Sequence, residues 1–179
     1  MKRKRMKYLA LAALLCAALQ SPCLAVDYAD GTITVTPVAS VSLNLSPSSY
    51  AFGSLDVASS SNSATALTLS NSGNVNVSVT KAIQANPADW VAVASTGTID
   101  SYTLYCATGS SRVGLAAFGS GTKFGALANS SARTAQDGLS SPVLPVAGSV
   151  DLWFRLDMPA SISNQSAKTI TVRFTAAAQ

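Results

Sequence analysis

The stretch Leu67-Thr68-Leu69-Ser70-Asn71-Ser72-Gly73-Asn74-Val75-Asn76-Val77-Ser78-Val79-Thr80 decides the fold. Apolar and polar residues alternate on both sides of Asn71-Ser72-Gly73-Asn74. Successive side chains of a strand point to opposite faces. Leu67 and Leu69 therefore share one face of a first strand, and Val75, Val77 and Val79 share one face of a second. Strands of this kind put one face in a core and the other in water. Asn and Gly tolerate positive φ, so the four residues between the runs read as a hairpin loop.

Working outward, the same period of two recurs at residues 32–36, 41–45, 150–156 and 170–175. Weaker strands are expected at residues 90–94 and 102–107. Turn chemistry separates them: Ser46-Pro47-Ser48-Ser49, Asn86-Pro87, Met158-Pro159 and Ser163-Asn164. After residue 26 no stretch keeps an apolar 3.6-residue period for three turns. Short strands with turns every 8–12 residues or so predict an all-β chain, a two-sheet antiparallel sandwich. Residues 109–148 depart from the pattern. They hold seven of the eleven glycines, with Pro142 and Pro145, and alternate poorly. A Gly-rich excursion from the C-terminal half of the sandwich is expected there, as a long loop or short hairpins.

Residues 1–25 read as a secretory signal. Lys2, Arg3, Lys4, Arg5 and Lys7 form the basic start, and residues 8–19 the apolar segment. That segment is too short to span a bilayer, which takes about 20 residues. Cys23-Leu24-Ala25 resembles a cleavage site. The alternatives are a lipid anchor at Cys23 and an uncleaved membrane anchor. The expected product is one domain of residues 26–179, exported to the periplasm, the cell surface or the medium, with no membrane span after cleavage. The leader has a bacterial look.

Cleavage changes the charge and the cysteines. The chain carries 12 basic and 8 acidic residues and a formal charge of +4. Without the five leading bases, 7 − 8 leaves −1. The basic balance is thus no sign of a nucleic-acid partner. Cys16 and Cys23 leave with the signal, so Cys106 remains without an internal disulfide partner.

The sequence has no His, and all eight acids are Asp. The commonest general acid–base residues are therefore missing. A Ser-His-Asp triad and a histidine zinc site are excluded. Asp27 and Asp30 lie just before Gly31, near a turn, without the spacing of a calcium loop. Asp151 and Asp157 would stand roughly 20 Å apart along one strand. Cys106 has no activating base and reads as a buried thiol, or as one half of an intermolecular disulfide. A Ser–Lys site would need Lys81, Lys123 or Lys168 beside a serine. No enzyme, metal or cofactor is expected. Trp90 and Trp153 are candidate ligand contacts, because Trp153 breaks the parity of Leu152 and Phe154 and on that pattern forces an aromatic onto an outer face.

One segment carries a resemblance. It begins with Pro47 and Phe52-Gly53-Ser54-Leu55-Asp56-Val57. The alternating run into Asn71-Ser72-Gly73-Asn74 and the Val75, Val77, Val79 strand follow. Residues 45–79 in this order resemble the Ig-like modules of abnormal-spindle-type, hydin-type and bacterial choice-of-anchor surface proteins. The resemblance implies a β-sandwich that serves as scaffold or binding module rather than catalyst.

Two roles follow as expectations. The first is a structural or surface protein, a self-associating fibre or coat subunit. Residues 26–36, with Ile33 and Val35 on one face, would add as an arm to a neighbour's sheet edge. The bland reading makes residues 33–36 the first strand of their own sandwich. The second role is an extracellular adhesion or carbohydrate-binding module using residues 109–148 and an exposed tryptophan. The expected partner is protein, self or another surface protein, with carbohydrate as the alternative.

Overall fold

The computed structural model describes residues 27–119, 122–124, 133–134 and 143–179. The expected signal peptide lies outside these, as does most of the stretch from 120 to 142. The described chain is all-β, with a short 3-10 turn at Leu115–Ala117. Ten strands run in order: β1 Leu43–Ser46, β2 Ser60–Asn62, β3 Leu67–Asn71, β4 Val77–Ala85, β5 Val91–Ala92, β6 Ser101–Thr108, β7 Arg133–Thr134, β8 Val143–Leu144, β9 Ser149–Asp157 and β10 Thr171–Ala178. They form two sheets. The larger has the order β1-β3-β9-β6-β5, with β2 also on β9; the smaller has the order β10-β4-β7, with β8 also on β4. Among the described residues no helix is long and apolar enough to cross a membrane. The chain divides after Pro37 into two units. All ten strands belong to the second.

Strand β9 is the spine of the larger sheet. One side pairs antiparallel with β3 and then β2, and the other with β6. Every side chain of β6 from Ser101 to Ala107 is buried, so both faces of this strand are covered. Parity divides them. Tyr102, Leu104 and Cys106 of β6 join Leu152, Phe154 and Leu156 of β9 in the main core with Leu67, Leu69, Val77, Val79 and Ile83. Tyr105, Ala107 and Trp153 point the other way, into a second core closed by Phe118. The aromatic that breaks the parity of β9 is thus covered. The sequence reading that one face must expose it fails, because the excursion after β6 lays Phe118 over that face.

Residues 109–148 therefore belong partly to the sandwich. Phe118 closes the second core, Phe124 stacks on Phe154 at 6.5 Å, and Leu144 joins the main core. β7 and β8 pair with β4. The antiparallel expectation is also incomplete, since β5 pairs with β6 in parallel.

The segment read as a hairpin is a corner between sheets. β3 pairs with β1 and β9, whereas β4 pairs with β10, β7 and β8. Local turn chemistry is the same for both outcomes. The difference lies in Asn71, whose side chain is only 2% exposed. Its Nδ2 donates to the carbonyls of Val75 (2.8 Å), Leu144 (3.1 Å) and Pro145 (3.1 Å), and its Oδ1 accepts from the Gly73 N–H (3.0 Å). One amide thus ties the turn to β8 of the second sheet. A Cβ on Gly73 would run into the carbonyl of Ser40, so the close approach needs glycine.

Between β2 and β3 the ladder to β9 is interrupted. Ser63 repairs the gap: its N–H donates to the Phe154 carbonyl (2.7 Å), and its Oγ accepts from the Phe154 N–H (3.0 Å). A buried backbone N–H without a partner is costly, so the hydroxyl stands in for a missing carbonyl. Residues 27–42 contain no strand, so the alternation at residues 32–36 did not make the first strand of this chain's own sheets.

Candidate functional site

The sequence singled out Trp90 and Trp153 as ligand contacts. Both are buried, at 6% and 8% exposure. Trp153 donates from Nε1 to the Gly109 carbonyl at 2.8 Å. Trp90 lies tilted on Tyr102 at 5.9 Å, with the Lys168 ammonium 6.0 Å from its ring. Its Nε1 is buried with no hydrogen-bond partner among the described residues. Neither indole offers a free ring face to a ligand; each fills a core.

Ile33 and Val35, the candidate arm residues, are 95% and 80% exposed. They lie outside any strand.

Lys81 and Cys106, two of the residues weighed for catalysis, are buried in the core. Ser78 and Lys81 stand at Ser-x-x-Lys spacing, as do Ser120 and Lys123, of which Ser120 lies outside the described residues. On strand β4 a separation of three residues places side chains on opposite faces. The Ser78 Oγ accordingly reaches the Ala177 carbonyl of β10. Lys81 is fully buried and donates to the carbonyls of Cys106 and Thr122, each at 3.0 Å. Its ammonium also lies 5.2 Å from the Phe124 ring. Cys106 is fully buried, and burial pushes its thiol up to about 12, against a smaller lowering by the Lys81 charge. Such a thiol is a poor nucleophile. Among the described residues no three His, Cys, Asp or Glu side chains gather where a metal could sit.

On the outer face beside the second core, Arg155 holds Asp157 through two bonds of 2.6 and 3.1 Å and lies 5.1 Å from the Tyr105 ring. Burial, and then the Asp157 carboxylate, raise the Tyr105 hydroxyl. Lys123 covers the same ring at 5.6 Å. Arg155 and Asp157 satisfy one another, and Lys123 donates to the Ala94 carbonyl.

Two surface features remain. A polar basin of about 460 Å³ is lined by Asn86, Asp89, Asn164, Ser166 and Lys168, among others. The second is an apolar groove of about 370 Å³, lined by Leu43 and Leu45 of β1, Leu69 of β3, Gln84 of β4, and residues 171–174 of β10. It lies where the edge strand of each sheet ends the sandwich. β1 pairs with β3 and β10 with β4, and among the described residues neither pairs with anything on its other side. Leu43, Leu45, Val172 and Phe174 pack against the main core but stay only partly buried. Full burial of such a side chain contributes about 1.5–3 kcal/mol, so part of that remains unrealised along the groove. The alternation at residues 41–45 and 170–175 was legible in the sequence. That these two strands form the facing edges was not, because edge position depends on pairing between distant segments. The chain matches no protein-family model, no curated protein and no solved structure.

Proposed function

We propose that the chain is an exported, non-catalytic structural protein of a bacterial surface, an Ig-like sandwich that associates with copies of itself through an open sheet edge. The observation that carries this reading is β10. It pairs with β4 over all eight residues and has no described partner on its outer side. Open edges of that length template further strand pairing unless they are blunted by charge, proline or a bulge. β10 has one charged residue, Arg173, and one register shift, between Thr171 and Val172. Neither interrupts Phe174 to Ala178. The net charge near −1 after loss of the leader adds little self-repulsion. The leader-like N-terminus supports export, and the run from Pro47 to Val79 supports the Ig-like kinship.

The test is light scattering after size-exclusion chromatography, then negative-stain microscopy, over a range of protein concentrations. Oligomers or fibres are expected. A monomer at every concentration refutes the reading.

The polar basin favours a second reading, a carbohydrate-binding module, since amides, a carboxylate and an ammonium line one concavity. Trp90 lies beneath Lys168, so a sugar seated there should shift tryptophan fluorescence. Titration with simple sugars tests this, and no shift rejects it.

A further inference from the structure

We infer that the groove between β1 and β10 is the seat for residues 32–36 of a second copy of this chain, entering as an added strand on the open edge. The inference deepens the proposed self-association and rests on it. Three observations point to this occupant.

The first is periodicity. Ile33 and Val35 are two residues apart and would share one face of a strand. The groove presents Leu43 and Leu45 from β1, and Val172 and Phe174 from β10, at the same spacing. A strand laid between the edges would drop Ile33 and Val35 between these pairs and leave Thr32, Thr34 and Thr36 outward. The second is exposure. Ile33 and Val35 are the most exposed aliphatic side chains in the described chain apart from Val38, which matches Val35 at 80%. Large apolar groups left in water mark interaction sites when they cluster. The third is length and limits. Gly31 and Pro37 bracket the alternating run. Pro37 has no N–H to give to a ladder and ends the pairing segment there. Five residues suit an edge such as β1, which is four residues long. Charge agrees: Arg173 lines the groove, and Asp27 and Asp30 precede the run. Main-chain bonds would supply affinity and the two aliphatic anchors the register.

The test compares the full chain with its Ile33→Asp/Val35→Asp variant by light scattering across a concentration series. Both positions lie outside the strands, so folding should be preserved, which an unchanged thermal midpoint verifies. The expected result is a fall in the association constant of about 10²–10⁴-fold, the loss of two buried aliphatic side chains. A second measurement fixes the geometry. A Thr34→Cys chain is mixed with a Thr171→Cys or Thr175→Cys chain under mild oxidation. All carry Cys16→Ser and Cys23→Ser, and Cys106 is buried. Each chain then has one reactive thiol, so only contact between copies gives the mixed dimer. Mixed dimer in excess of either homodimer supports the seat, and its absence overturns it. A wild-type chain that never associates overturns both this inference and self-association. Association that survives Ile33→Asp/Val35→Asp undiminished overturns the arm alone.

Discussion

Replacing Asn71 by alanine should destabilise the protein by about 3 kcal/mol, because the corner between the sheets rests on one buried amide. The wild-type side chain serves four backbone groups: the carbonyls of Val75, Leu144 and Pro145, and the N–H of Gly73. Its two amide hydrogens are shared among three carbonyls, so the set is worth about three good hydrogen bonds. Each contributes about 1 kcal/mol net. At 2% exposure, water cannot replace them without opening the corner, so the full cost of about 3 kcal/mol is expected. Against a total stability of about 5–15 kcal/mol the loss is large. The assay is equilibrium urea unfolding, with the midpoint lowered and the slope unchanged. The thermal midpoint should fall by about 6–12 °C, at about 2–4 °C per kcal/mol for a chain of this size. Asn71→Asp should cost at least as much, since a carboxylate would face three carbonyls. Ser72→Ala is the control: its exposed hydroxyl reaches Ser42 at 2.8 Å, and its loss should stay within about 0.5 kcal/mol. A cost below about 1 kcal/mol for Asn71→Ala, or an equal cost for Ser72→Ala, refutes the reasoning.

Other outcomes follow from the same packing. Ser63→Ala leaves the Phe154 N–H without its acceptor and should cost about 1–3 kcal/mol in urea unfolding; a neutral result would show that water fills the gap. Phe118→Ala removes the lid of the second core, with an expected loss of about 3–5 kcal/mol and a red shift of Trp153 emission; unshifted emission would mean that something else covers the indole. Stability should decline in alkali. The Cys106 thiol is raised from 9.0 to about 12 by burial, so the fold favours its neutral form. That contribution is complete below about pH 9 and is lost as pH rises towards 12, at about 1.4 kcal/mol per unit. Cys106→Ala should flatten this slope, and an unchanged slope would place the effect elsewhere, with Tyr102, which burial also raises, as the next group to replace. In a Cys16→Ser/Cys23→Ser chain a thiol reagent should label Cys106 in step with unfolding; fast labelling of that native protein would contradict its burial.

The order of residues settles the class of the fold and the place of most of its longer strands. Period-two alternation placed β1, β3, β4, β9 and β10 to within a few residues, because burying one face of a strand is a local demand on side-chain order. The residue types that are absent, His and Glu, limit the chemistry the chain can attempt, whatever its fold. What alternation cannot carry is the partner of each strand. The same Asn-Ser-Gly-Asn turn serves a hairpin or a corner, and only the bonds from Asn71 to Leu144 and Pro145, more than 70 residues away, select the corner. Trp153 breaks the parity of its strand in the sequence. Only the return of Phe118 across the sheet decides that this outer face is a second core rather than a ligand platform. β2 left no alternating signal, because its three residues, Ser60, Ser61 and Asn62, are all polar. The groove is the extreme case. Its leucines, Val172 and Phe174 read as ordinary core residues, and they became half-exposed because β1 and β10 are edges. Which strands end a sheet is a property of all the pairings together, set by long-range contacts that no local pattern encodes.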